Sequence, residues 1–147
     1  MWGAINCINA VLPPMIEAHS GSIVCISSDA GRMGEYREAV YSACKAGVIA
    51  LSKSLARETG RHGLRLNTVC PGVVVPPEEE SISEESMWNQ MRDLFTEEVR
   101  ERVRRNYPLR RLAGANEVAN AVVFLASDAA SFITGQTLSV SGGYTMM

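Results

Sequence analysis

Apolar residues recur at Ile5, Ile8, Val11, Leu12, Met15 and Ile16, a spacing that gathers them on one side of a helix. Pro13 and Pro14 fall inside that stretch; because proline lacks an N–H and clashes with the preceding turn, they are expected to kink or end the helix. Past Gly21 the pattern changes. "SIVCISS", Ser22 to Ser28, is a short β-branched apolar run bounded by turn residues, which predicts a strand buried on both faces, as in a parallel sheet. From about Ala39 to Thr59 the helical period returns. Val40, Ala43, Gly47, Ala50, Leu51 and Leu55 form one stripe rich in small residues, and Gly60 and Gly63 end it. "LRLNTVC", Leu64 to Cys70, predicts a second strand. Strand, long helix and strand make a βαβ unit with a right-handed crossover, whose ligand edge lies at the carboxyl ends of the strands.

Pro71-Gly72 stops the second strand at that edge, and the acidic patch Glu78 to Glu80 opens a polar excursion over residues 77–107, a lid or a linker. Within it Met87, Met91, Leu94, Phe95, Val99 and Val103 predict an amphipathic helix. It is acidic near its start and basic at Arg100, Arg102, Arg104 and Arg105, an order that complements the helix macrodipole. The arginine run reads as a solvated helix end rather than a phosphate site. "GANEVANAVVFLASDAA" predicts a further helix with Asn116 as N-cap and Val118, Val122, Phe124 and Leu125 facing inward. "GQTLSVSGG", Gly135 to Gly143, is the last strand and its stop. The fold class is therefore α/β, a three-stranded fragment of a doubly wound parallel sheet with flanking helices. The strand around Val24 has no strand before it to pair with on its other side, and such an unpaired apolar edge points to a missing upstream portion.

Composition refines this picture. The 147 residues are 46% hydrophobic and 20% charged, ordinary for one soluble globular domain with a sizeable core. A net charge of −2 creates no field that would recruit nucleic acid or an anionic membrane, which leaves small neutral or anionic ligands. Cys7, Cys25, Cys44 and Cys70 are widely spaced with no C-x-x-C pair; they are expected to be reduced, buried thiols in a cytoplasmic chain. The N-terminus has no basic region, and Asn6, Asn9 and the proline pair break its apolar stretch, so it reads as neither signal peptide nor membrane span.

The candidate chemistry lies in "SSDAGRMGEYREAVYSACK", Ser27 to Lys45. Tyr41 and Lys45, spaced i, i+4, share one helix face and can reach a common point. Ser28 stands thirteen residues before Tyr41 and needs a loop to return, which Gly31 and Gly34 supply. Taken alone, the Tyr-Lys pair reads better as an ordinary helix with a half-buried tyrosine and a solvated lysine, so the flanking sequence decides.

Together "GSIVCISS", "YSACK", "LRLNTVCPG" and the closing "PLRRLAGANEVANAVVFLASDAASFITGQTLSVSGG" resemble the short-chain dehydrogenase/reductase family in order and spacing, from Trp2 almost to the C-terminus. The resemblance implies a Rossmann-like domain over residues 1–147 and an NAD(P)-dependent oxidoreductase that interconverts a ketone and a secondary alcohol. It leans toward 3-oxoacyl-thioester reductases and related hydroxyacyl or sugar-alcohol dehydrogenases. It places the catalytic roles on Ser28, Tyr41 and Lys45. A nearby ammonium favours the phenolate form of a phenol, so Lys45 would tune Tyr41 as general acid/base and also hold the ribose hydroxyls of NAD or NADP, while Ser28 would donate to the substrate oxygen. Pro71 and Gly72 match the turn against the nicotinamide, with Val74 holding its carboxamide. Where the family usually carries a threonine this chain has Pro76, which offers neither hydroxyl nor N–H. The family's Gly-rich pyrophosphate cradle, the residue that selects NAD or NADP, and its catalytic asparagine would all precede Met1, so the expectation is a C-terminal portion or truncated form. The expected partners are a small carbonyl or alcohol substrate and a second copy of the chain in a homo-oligomer. The competing reading is an inactive oligomerisation or interaction module.

Overall fold

The computed structural model describes residues 1–76, 85–90 and 93–147. Its first helix, α1 (Trp2–Glu17), runs through Pro13 and Pro14 instead of ending there. The two bonds those residues cannot donate would have gone to Asn9 and Ala10, which are exposed, so water can serve the freed carbonyls. The helix closes a turn later, where the Ala18 N–H donates to the Pro14 carbonyl at 3.0 Å.

Strand β1 (Gly21–Ile26) leads through a short helix, α2 (Ala30–Met33), into α3 (Ala39–Thr59), whose bounds match those read from the sequence. β2 (Leu64–Pro71) follows, then a two-residue strand, β3 (Val74–Val75). The excursion contains α4 (Met87–Gln90) and α5 (Glu97–Arg104), followed by β4 (Ala113–Gly114), α6 (Ala115–Ala126) and β5 (Thr137–Val140). The main sheet is three-stranded in the order β1-β2-β5 and parallel throughout, with Ile23 opposite Leu66 and Val69 opposite Leu138. β3 and β4 pair in a separate parallel ribbon, Val74 against Ala113, which the hydrophobic pattern does not reveal.

Alternation along the strands divides the core between two faces. Ile8, Cys25, Val48, Ala56, Leu64 and Leu66 pack between the sheet and the pair α1 and α3. On the other face Val69, Leu125 and Ala130 pack with Val24, Val118, Val122 and Val140, covered by α6. Arg65, on this second face, donates to the carbonyls of Leu125, Ala126 and Ser127, satisfying the open end of α6 where the macrodipole is negative.

Several expectations are corrected. The unpaired edge expected at the strand around Val24 is present, since among the described residues β1 pairs only with β2, but the expected burial on both faces is not: β1 is half-buried for most of its length, Ile26 is 46% exposed, and burial on both faces belongs to β2. In α3 the inward face carries Val48, Ser52, Ala56 and Thr59, while Val40, Ala43 and Ala50 of the expected stripe are exposed. The single amphipathic helix expected from Met87 to Val103 is two helices. Thr96 starts the second, its hydroxyl accepting the Val99 N–H, and Leu94 lies exposed before it. Met91 and Glu78 to Glu80 lie outside the described residues. The N-cap of α6 is Gly114 and not Asn116, and the Glu117 carboxylate accepts the Gly114 N–H there at 3.0 Å; Phe124 faces outward, 43% exposed. Of the cysteines, Cys25 and Cys70 are buried, but Cys7 is exposed and Cys44 intermediate. At the basic end of α5, Arg104 pairs with Glu97 at 2.6 Å and with Glu101 at 3.4 Å. No helix among the described residues is long and apolar enough to cross a membrane.

Candidate active site

The site forms where β1 and β2 end. Beyond β1 the chain stays beside β2: the Ser27 N–H donates to Val69 O at 2.8 Å and the Asp29 N–H to Pro71 O at 3.1 Å. Ser27, adjacent to the residue singled out in the sequence, anchors the arrangement. Its buried hydroxyl donates to the Lys45 carbonyl at 2.8 Å, and the Lys45 ammonium donates to the Ile26 carbonyl at 3.1 Å. Lys45 is thus tied to the strand tip through both its backbone and its side chain. Gly31 completes the contact: a Cβ there would lie 2.7 Å from the Lys45 carbonyl carbon and 2.8 Å from the Ala46 nitrogen. Gly31 is therefore needed for close approach of α2 to α3, whereas Gly34, at φ 77°, provides the turn.

Tyr41 lies one turn before Lys45 on α3, 47% exposed, with the Lys45 Nζ 5.6 Å from its ring centroid. The Ser28 hydroxyl accepts the Ala30 N–H at 3.2 Å, which leaves its own proton to donate. The structure brings Ser28, Tyr41, Pro71, Gly72 and Val74 to the lining of one cleft of about 870 Å³. Lys45 is not in that lining. It bonds to the end of β1 and faces the Tyr41 ring.

Tyrosines that the sequence reading passed over complete the cleft. Tyr107 is buried, its hydroxyl accepts the Val73 N–H at 2.8 Å, and its ring stacks on Tyr144 with centroids 5.0 Å apart. Gly72 fits against it, since a Cβ there would meet the Tyr107 hydroxyl at 2.9 Å. The Tyr144 hydroxyl donates to Glu35 at 2.9 Å. Burial, then the Glu35 carboxylate, pushes the Tyr144 phenol up to about 12, and burial also raises Tyr107; both stay neutral donors across the ordinary pH range. Trp88 and Phe95, in edge-to-face contact at 5.2 Å, line the side given by the excursion. Asp29, also on the lining, is 1% exposed. Burial pushes the neighbouring Cys70 thiol up, away from the thiolate form.

A family model described as enoyl-(acyl carrier protein) reductase, of the short-chain dehydrogenase/reductase group, matches residues 1–145. The 3-oxoacyl-(acyl-carrier-protein) reductase FabG of Staphylococcus aureus is 40% identical over 144 residues, 98% of this chain and 53% of its own length. FabG of Escherichia coli K12 is 41% identical over 138 residues, 94% of this chain and 51% of its own length. A solved structure described as ElxO with NADP bound superposes with a TM-score of 0.83 at 29% identity, covering 98% of this chain and 54% of that one. The chain spans about half the length of the curated relatives it matches.

Proposed function

Since this chain belongs to the short-chain dehydrogenase/reductase family, we propose that it acts in an NAD(P)-dependent oxidoreductase that interconverts a ketone and a secondary alcohol, with 3-oxoacyl thioesters as the substrate class suggested by its relatives. The observation that carries this reading is the convergence of Ser28 and Tyr41 on one cleft at the strand tips, with the Lys45 ammonium beside the Tyr41 ring.

In this reading the Ser28 hydroxyl, whose proton is uncommitted, donates to the substrate carbonyl oxygen and stabilises the charge that develops there. The Tyr41 hydroxyl, open to the cleft, transfers its proton to that oxygen as the alcohol forms, and takes it back in the reverse direction. Lys45 supports the phenolate left behind through its positive charge. A nicotinamide cofactor, when bound, supplies the hydride. The residues present suit its nicotinamide-ribose end. Lys45 has two ammonium hydrogens beyond the one given to Ile26, matching a pair of ribose hydroxyls, and Pro71, Gly72 and Val74 offer backbone at the cleft edge. Residues 77–107 contribute Trp88 and Phe95 as the substrate-side wall.

The test is turnover of an acetoacetyl thioester with NADH and with NADPH by a form of the protein extended upstream of Met1, followed by loss of reduced-cofactor absorbance. Tyr41→Phe is expected to abolish turnover while leaving the melting temperature unchanged; a variant that keeps most of its kcat removes Tyr41 from the mechanism. A second reading, a non-catalytic association module, draws on the exposed Trp2, Val11 and Val40 of α1 and α3. It predicts a sedimenting oligomer whose assembly is lost in Val40→Glu, with no turnover with either cofactor. The homo-oligomer is expected under both readings, so turnover separates them.

A further inference from the structure

Ser28 and Tyr41 lie at the two ends of one segment, and the C-terminal tail is bonded to both ends. Asp29, next to Ser28 and 1% exposed, accepts from the Ser139 hydroxyl. Ser139 Oγ is also 2.8 Å from Arg32 Nη1 and 2.9 Å from Thr145 Oγ1. A guanidinium only donates, and a hydroxyl has one proton to give and two lone pairs to receive. Ser139 spends its proton on Asp29 and receives one from Arg32, so Thr145 is the donor in the third contact. Thr145 is thereby joined, through one serine, to the residue after Ser28.

The other end is held by Tyr144. Its hydroxyl donates to the Glu35 carboxylate at 2.9 Å, and the Glu35 N–H donates to the Ser42 hydroxyl at 3.2 Å, beside Tyr41 in the first turn of α3. No side chain caps that helix at Glu38, so Ser42, within the helix, supplies a side-chain hold on the entering loop. The loop needs one: Gly34 and Arg37 both have positive φ, 77° and 66°, and for a non-glycine residue such as Arg37 that conformation is costly. Tyr144 is itself fixed. Its ring stacks on Tyr107, whose hydroxyl accepts the Val73 N–H, and its N–H donates to the Ser141 carbonyl at 3.0 Å.

We propose that Glu35 and Tyr144 are positioning residues: the bond between them, made by a tail that also holds Asp29, fixes the separation of Ser28 and Tyr41 and so their common aim at one carbonyl oxygen. The inference rests on the reading of Ser28 and Tyr41 as the two donors to that oxygen. Glu35 and Tyr144 act through Tyr41, so their signature is a loss in kcat with KM little changed.

Tyr144→Phe keeps the stacked ring and deletes the bond, and Glu35→Ala deletes it from the other side. In a form of the protein extended upstream of Met1 and turning over an acetoacetyl thioester, each is expected to lower kcat about fivefold, the effect of one hydrogen bond, with KM for the thioester moving less than about twofold. The double variant is expected to fall no further than either single one, since both remove the same bond. Glu35→Gln, whose amide oxygen still accepts from the Tyr144 hydroxyl, is expected to recover most of the loss seen with Glu35→Ala. In the 147-residue chain itself, hydrogen exchange at the Glu35 amide is expected to quicken in Tyr144→Phe as the loop loses its hold. An unchanged kcat in either single variant overturns the proposal. So does a loss confined to KM, a double variant that falls by the product of the two singles, a Glu35→Gln as slow as Glu35→Ala, or a Glu35 amide that exchanges as in the wild type. Absence of turnover in the extended wild-type protein overturns the carbonyl reading and the proposal with it; exchange at Glu35, which needs no turnover, tells the two failures apart.

Discussion

Replacing Gly31 by alanine tests how closely α2 must approach α3 for the site to form. An added Cβ would sit 2.7 Å from the Lys45 carbonyl carbon, 2.8 Å from the Ala46 nitrogen and 2.8 Å from the Lys45 Cβ. Favourable carbon contacts lie at about 3.5–4.0 Å, so the two helices must part by about 0.7 Å or more. Two of the opposing atoms are backbone, and the Ser27 hydroxyl holds that stretch of α3 through the Lys45 carbonyl at 2.8 Å, so no side-chain rotation relieves the clash. Over-packing of this kind costs about 1–3 kcal/mol, which for a chain of this size lowers the melting temperature by about 3–10 °C. Gly60→Ala is the matched control. Nothing lies within 4 Å of a Cβ at Gly60 and its φ is −56°, so alanine there is expected to be neutral or to stabilise by about 0.4–1 kcal/mol through the unfolded state. Thermal denaturation of both variants by circular dichroism decides the matter. If Gly31→Ala melts at or above Gly60→Ala, the contact between α2 and Lys45 does not set the site, and the account of how Ser28 and Lys45 are brought together is wrong.

Other consequences are measurable in the same way. Leu66 is 0% exposed at the centre of the sheet, and Leu66→Ala is expected to cost about 2–5 kcal/mol in urea unfolding; a loss under 1 kcal/mol would place the core elsewhere. Glu117 is held down at about 2 from an ordinary 4.5, first by the Arg111 guanidinium and then by the Gly114 N–H. A depressed carboxyl stabilises the fold above its unfolded value, so its contribution is lost as pH falls from about 4.5 through 2, and Glu117→Gln should flatten that part of the stability curve against pH. Tyr144 is raised to about 12 from 10; the stability linked to it is complete below pH 10 and declines as pH rises through 12. Tyr144→Phe should delete the phenol that ionises near 12 in an ultraviolet titration, and a profile unchanged in that region would refute the contact with Glu35.

Local chemistry carried the element boundaries further than it carried the faces. α3 is legible from Ala39 to Thr59 because glycines close it, yet its rotation is not, because the buried side includes Ser52 and Thr59, which hydrophobicity assigns to water. Thr59 escapes the usual cost by donating to its own Leu55 carbonyl at 2.7 Å. The strand pair β3 and β4 is two residues long on each side, too short to show a period. The cap of α6 was readable at Glu117, three residues after Gly114, but Asn116 offered a stronger residue preference and the wrong position. In α1 the prolines read as helix breakers because the sequence does not show that their missing bonds point outward, where breaking costs little.

At the site the same division holds for a different reason. The spacing of Ser28, Tyr41 and Lys45 is visible because two of them share a helix face and the third ends the neighbouring strand. Ser27 and Asp29 are not, because their partners are remote in sequence: Ser27 reaches a carbonyl 18 residues away and Asp29 a hydroxyl 110 residues away. A pattern of neighbours cannot expose a contact whose meaning is set by the sheet. Tyr107 and Tyr144 belong to the same class, far apart in the chain and stacked on each other only in the fold. What unites the cleft is therefore its position at the carboxyl ends of three strands: residues that share nothing in sequence arrive there together. The readable part of the site is the portion carried by a single βαβ unit. The unreadable part, Asp29's network above all, depends on the return of the chain through β5 to Ser139 and on to Thr145.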